Sequence, residues 1–267
     1  MNEYDVIIIG AGAAGLFAAG HAAESGARVL LLEKMNQPGR KLRITGKGRC
    51  NLTNIAPMRE FMDHVGENSR FLRHAFSCFF SKELIDFFEQ KGVPITVERG
   101  ERAFPTSEKA QDIFNALVGW VEKLKVSILK ESSVTKILAT EGCIQGVEVN
   151  NTELYYAPKV ILATGGCSYP ATGSSGDGYK LAKSLGHSIT KIRPALVPME
   201  TKGNTAPELQ GLSLKNVKAS IWIDGKKKGD AFGEMMFTHF GITGPIVLTL
   251  SRKFSQELQA RQSMIFS

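Results

Sequence analysis

The chain has no long apolar run, few cysteines and no leader-like start, and each shortage removes a class of protein. No stretch approaches the roughly 20 apolar residues that cross a bilayer as a helix. Met1-Asn2-Glu3-Tyr4-Asp5 places no basic residue before the first hydrophobic segment,. The expectation is a cytoplasmic protein with no membrane partner. Cys50, Cys78, Cys143 and Cys167 lie far apart without a C-x-x-C pair. That argues against a thioredoxin-type dithiol and against zinc, so no metal is expected and most of the thiols should be buried. The formal charge is +7 over 267 residues, yet the cations are scattered and are not interleaved with stacking aromatics, so nucleic acid is not an expected partner. The longest basic run, Lys226-Lys227-Lys228, follows Asp224-Gly225 and reads as a solvated hairpin tip,.

What is present begins at once. Tyr4-Asp5-Val6-Ile7-Ile8-Ile9 is an apolar strand that breaks at Gly10-Ala11-Gly12-Ala13-Ala14-Gly15 and continues as an alanine-rich helix to about Gly26. This order is a dinucleotide site: Gly10 permits the turn, Gly12 lets the backbone approach a pyrophosphate, and Gly15 lets helix and strand pack closely. A second strand, Ala27 to Leu32, delivers Glu33 and Lys34, and Glu33 is suited to accept both hydroxyls of a ribose. A phosphorylated ribose would meet that carboxylate, which makes NADP a poor fit here.

Gly39 to Asn54 is rich in glycine and cations and reads as a loop wrapping an anionic, planar cofactor. Phe71 to Gly92 reads as one amphipathic helical region, and Ser107 to Lys125 as a helix capped by Ser107,. Val93 to Val97 and the residues around Arg102 to Pro105 read as short strands, and Val126 to Leu129 as a strand near the adenine end,. Three alternating runs, Val134 to Leu138, Ile144 to Val149 and Glu153 to Tyr156, predict an antiparallel meander. The meander leads into Lys159 to Gly166, a buried strand that ends at two glycines.

The Gly39 to Asn54 block, Ala163 to Gly166, Thr172 to Tyr179 and Phe237 to Pro245 together resemble the BaiN-type flavoproteins, a family that includes aminoacetone oxidases and bile-acid reductases. The likeness covers essentially the whole chain. It implies an α/β fold: a Rossmann-like FAD-binding domain over residues 1–192, carrying the meander, and part of an inserted β-rich substrate-side domain over 193–267. It also implies an FAD-dependent oxidoreductase that holds FAD non-covalently and passes a hydride between a small organic substrate and the flavin, with oxygen or a nicotinamide as the second redox partner and NAD(P)H as a transient electron donor. By the same likeness, Gly10, Gly12, Ala13, Ala14 and Gly15 would hold the pyrophosphate, Glu33 and Lys34 the adenosine ribose region, and Val134 the adenine. Arg40, Lys41, Thr45, Gly46, Gly48, Arg49, Cys50 and Asn51 would follow the ribityl chain and the flavin edge. Ala163, Thr164 and Gly165 would close over the cofactor, and Gly176 and Asp177 would start a helix close to the flavin. Cys50 is either a group that tunes the flavin or a packed thiol.

His239 is the candidate for proton transfer and Arg102 for anchoring a substrate anion, although a histidine before Gly241 can equally fix a turn. Members of the family return after the insertion through a glycine-rich stretch, and none follows Pro245, so the chain reads as C-terminally cut short. The rival functions are a nicotinamide-only dehydrogenase, disfavoured by the meander and the cationic block, and a non-enzymatic nucleotide-binding or sensor protein. Substrate and oligomeric state are not legible.

Overall fold

The computed structural model describes residues 3–66, 68–260 and 264–266. Of the terminal residues weighed above, Met1, Asn2 and Ser267 lie outside that range. Internal contacts divide the chain into two units, Met1–Ser188 and Ile189–Ser267.

The first unit opens with β1 (Val6–Ile9), α1 (Ala13–Glu24), β2 (Val29–Leu32), α2 (Arg40–Ile44) and β3 (Thr53–Asn54). It continues through α3 (Met58–Asp63), α4 (Arg73–Cys78), α5 (Ser81–Gln90), β4 (Ile95–Glu98), β5 (Arg102–Pro105), α6 (Ala110–Lys123) and β6 (Ser127–Leu129). The meander β7 (Val134–Thr140), β8 (Cys143–Val149) and β9 (Glu153–Tyr156) follows, then β10 (Val160–Leu162) and α7 (Asp177–Ser184). The central sheet runs β10-β1-β2-β6, all parallel. β1 and β2 are buried along their whole length, as strands covered on both faces must be, which is why they read as unbroken apolar runs. Alternate side chains feed two cores. Ile8 and Leu31 meet α1 and α6 on one face, while Ile7, Ile9, Leu30 and Leu32 meet the meander and α7 on the other.

Several expectations need correction. The region from Phe71 to Gly92 is two helices, because Phe79 is extended (φ −153°, ψ 112°) and α5 begins afresh. The Glu83 carboxylate accepts the Phe80 N–H at 2.9 Å and the Ser81 hydroxyl donates to the Asn54 carbonyl at 2.6 Å, so local capping outcompetes continuation. α6 starts at Ala110 rather than at Ser107: Glu108 is left-handed (φ 58°), and Ser107 spends its hydroxyl on the Lys109 N–H. The Gly39 to Asn54 block is not loop throughout. Gly39, itself left-handed (φ 64°), launches α2, and a tight 3-10 turn over Thr45–Gly48 follows. Three cysteines, Cys78, Cys143 and Cys167, are exposed and only Cys50 is buried. The three sit on α4, at a hairpin end and in a surface loop, where no core is available.

The second unit holds β11 (Met199–Glu200), α8 (Thr205–Glu208), β12 (Ser213–Ile223), β13 (Lys226–Thr238), β14 (Gly241–Thr243), α9 (Pro245–Lys253), α10 (Ser255–Gln259) and β15 (Met264–Phe266). Its antiparallel sheet is ordered β11-β14-β13-β12-β15, and α9 packs Ile246, Val247 and Leu250 on Ile221, Ile223 and Met235. The hairpin turns at Asp224-Gly225, both left-handed, as two-residue hairpins require. Lys226 to Lys228 are therefore the first residues of β13 and not its tip; all three are exposed, and Lys227 pairs with Asp230 at 2.6 Å.

Candidate functional site

A cleft of about 600 Å³ lies wholly within the first unit, at the carboxyl ends of β1, β2 and β10. Open parallel sheets place ligands there because the strand order reverses and leaves a crevice. The first glycine motif builds its floor, and its three glycines are not equivalent. A Cβ on Gly10 would stand 2.6 Å from the Ala163 carbonyl oxygen, and one on Gly15 would stand 1.7 Å from that of Gly10. Both are demanded by the protein's own packing. Gly12 has an ordinary backbone (φ −80°, ψ −170°), and a Cβ there would meet nothing within 4 Å. Among the described residues no packing contact requires glycine at that position, and the space it leaves opens on the cleft at the start of α1.

The N–H groups of Ala13, Ala14 and Gly15, in the first turn of that helix, have no intrahelical acceptor, and the helix dipole favours negative charge beside them. Cations line the same cleft. Lys34 donates to Asp177 at 2.5 Å and to Ser175, and Lys41 donates to Ser174 at 2.6 Å and to the Ser168 carbonyl at 2.8 Å. The two lysines thus tie the β2 and α2 side of the cleft to the segment that leads into α7. The Lys34 ammonium holds the Asp177 carboxyl below its ordinary value, with help from the Ser175 hydroxyl,. Arg40 also lines the cleft and makes no hydrogen bond or ion pair among the described residues.

Glu33 is buried at the end of β2. One carboxylate oxygen accepts the Ala11 N–H and the other the Met35 N–H, both at 2.9 Å. Each oxygen keeps a second lone pair, so the carboxylate is oriented by the backbone and can still accept two hydroxyls.

Of the residues singled out from the sequence, the structure brings Gly10, Gly12, Ala13, Ala14, Glu33, Lys34, Arg40, Lys41, Thr45, Val134, Ala163, Thr164, Gly165 and Asp177 to the cleft wall. Gly15 supports the turn from behind, and Gly176 is the left-handed residue before α7. Gly46, Gly48, Arg49, Cys50 and Asn51 follow α2 away from this wall. Arg49 bonds Glu98, pairs with Glu108 at 2.9 Å and stacks 4.3 Å from the Phe104 ring. Burial pushes the Cys50 thiol up to about 11, so it is protonated at neutral pH and behaves as a packed thiol. Arg102 is exposed on β5, bonded to the Arg99 carbonyl at 3.2 Å. His239 is exposed in the turn between β13 and β14, edge-on to Phe240. Neither lines the cleft. Sequence reasoning did not assign Ser132, Ser133, Thr172, Gly173 and Ser174, which are among the other residues of the wall. The small, polar composition of Thr172-Gly173-Ser174-Ser175 was the available signal.

Among the described residues no helix is long and apolar enough to cross a membrane, and no group of three or more metal-type ligands gathers.

The profile of the HI0933-like protein Rossmann domain matches residues 4–249, and the chain belongs to that family. It is 34% identical over 252 residues to the ribosomal RNA dihydrouridine synthase of Escherichia coli K12, covering 94% of this chain and 61% of that protein. It is 33% identical over 263 residues to the 3-dehydro-bile acid delta(4,6)-reductase of Clostridium scindens, covering 96% and 62%. The chain therefore spans about three fifths of the length of these relatives. Among solved structures it resembles the open conformation of a flavocytochrome c3 fumarate reductase, with a TM-score of 0.53 at 20% identity over 80% of this chain and 47% of that one. That likeness concerns the fold.

Proposed function

We propose that this member of the HI0933-like family holds FAD non-covalently in the cleft of its first unit. On this reading it is the cofactor-bearing part of a reductase that saturates a carbon–carbon double bond conjugated to a carbonyl. The observation that carries the cofactor half is Gly12: its missing side chain meets no packing need among the described residues and leaves room where a pyrophosphate would meet the free N–H groups of α1,. Arg40 would add the counter-charge, and Glu33 would take an unphosphorylated ribose.

The reaction half is inferred from the relatives' names. A dihydrouridine synthase and a delta(4,6)-reductase both imply addition of two hydrogens across a C=C bond. FAD supplies the hydride chemistry when bound and reduced. The residues that line the cleft of the first unit would bind and orient it. Electrons would enter from a nicotinamide donor. A small unsaturated carbonyl compound is the proposed substrate class; the Escherichia coli relative's name favours a second reading, a uracil base presented in RNA.

The test is an absorbance experiment. Purified chain mixed with FAD and desalted should keep a flavin spectrum, and acid precipitation should release all of it. NADH or NADPH should bleach the colour anaerobically, and an α,β-unsaturated ketone should restore it while the saturated ketone does not. Loss of all flavin on desalting contradicts the cofactor half, and equal reoxidation by both ketones contradicts the reaction half.

A further inference from the structure

We propose that a second groove in the first unit, on the α6 face of the sheet beyond its β6 edge, binds a small organic anion with a flat apolar body. The groove has a volume of about 540 Å³ and shares only Gln37 with the dinucleotide cleft. Its floor is apolar: Phe114 and Val118 from α6, with Val126 and Ile128 from the approach to β6 and from the strand itself. The Phe114 ring is fixed in place, because it packs so closely on Gly39 that a Cβ there would fall 2.4 Å away. A floor of this kind offers a face for stacking.

The rim has the charge of an anion site. Arg43 lies with its guanidinium carbon 5.0 Å from the Phe114 ring centre. Among the described residues the guanidinium's polar partner is the Gln37 side-chain oxygen, at 2.6 Å from Nη2, while its Nε is sealed from water and unbonded. Lys130 is a second cation on the rim and Glu122 is the single acid; none of the three forms an ion pair among the described residues. Arg49, whose Nε is likewise buried and unbonded, differs in being paired with two carboxylates. A half-buried guanidinium with a neutral partner and a stranded N–H leaves a charge uncompensated. A carboxylate on a flat ring would satisfy that charge while its body covers Phe114.

The experiment titrates 1-naphthoate into FAD-saturated chain by calorimetry, so that the first cleft is already filled. The expected result is one-to-one binding, weakened about tenfold or more for the uncharged 1-naphthalenemethanol and by Arg43→Gln. Val118→Trp, which fills the floor, should abolish binding while leaving the FAD affinity and melting temperature of the chain unchanged. Absence of binding, competition by FAD, or equal binding by the Arg43→Gln protein would overturn the proposal. The Arg43→Gln arm decides alone should Val118→Trp not fold.

Discussion

At the scale of single residues, the three glycines of the first motif separate packing from binding. Gly15→Ala should cost the fold several kcal/mol, because its Cβ would stand 1.7 Å from a backbone oxygen that cannot retreat without moving the β1 turn,; a denaturant melt checks this. Glu33 is likewise structural before it is functional. In Glu33→Gln one amide NH₂ would face a backbone N–H, either of Ala11 or of Met35, so stability should fall by about 1–3 kcal/mol even without nucleotide. Cys50, with its thiol pushed up to about 11, should resist iodoacetamide at pH 8 in the folded chain, while exposed Cys78, Cys143 and Cys167 react. Peptide mass mapping reads the outcome, and alkylated Cys50 would contradict its packed role.

At the scale of elements, what was legible followed from period and turn chemistry. β10 was legible as a strand but not as the buried one expected, since Ile161 and Leu162 are exposed. β1, α1, β2 and the meander were readable, because buried parallel strands are continuous apolar runs and hairpins carry glycine or asparagine at their turns. The break at Phe79 was not, since the phenylalanine spacing runs on across it and only the Phe80-Ser81-Lys82-Glu83 cap betrays a new start. The fate of Arg49 was also hidden: its partners Glu98 and Glu108 are brought to it by β4 and the turn after β5, a tertiary fact with no local signature. Nor could the sequence reveal that Lys34 and Lys41 clasp the segment before α7. That clasp predicts a pH effect. The Lys34 ammonium lowers the Asp177 carboxyl from 3.8, so the link stabilises above that value and is lost as pH falls through the lower folded-state value. Asp177 is partly exposed, so the effect should stay within about 1 kcal/mol. Melting temperatures of the parent and Asp177→Asn should differ near pH 6 and converge well below pH 3.8.

At the scale of the whole molecule, the chain has a parallel-sheet unit that carries the cleft and an antiparallel unit that carries His239. Every residue lining the cleft lies between Ile9 and Leu181, so the cofactor proposal concerns the first unit alone. The central claim is that Gly12 exists for the ligand. The direct measurement is an FAD titration of the parent chain beside Gly12→Val, followed by flavin fluorescence quenching and accompanied by the melting temperature of each nucleotide-free protein. The account predicts matching melting temperatures, saturable one-to-one binding by the parent and none by the variant. Equal FAD affinity in the two proteins would contradict it.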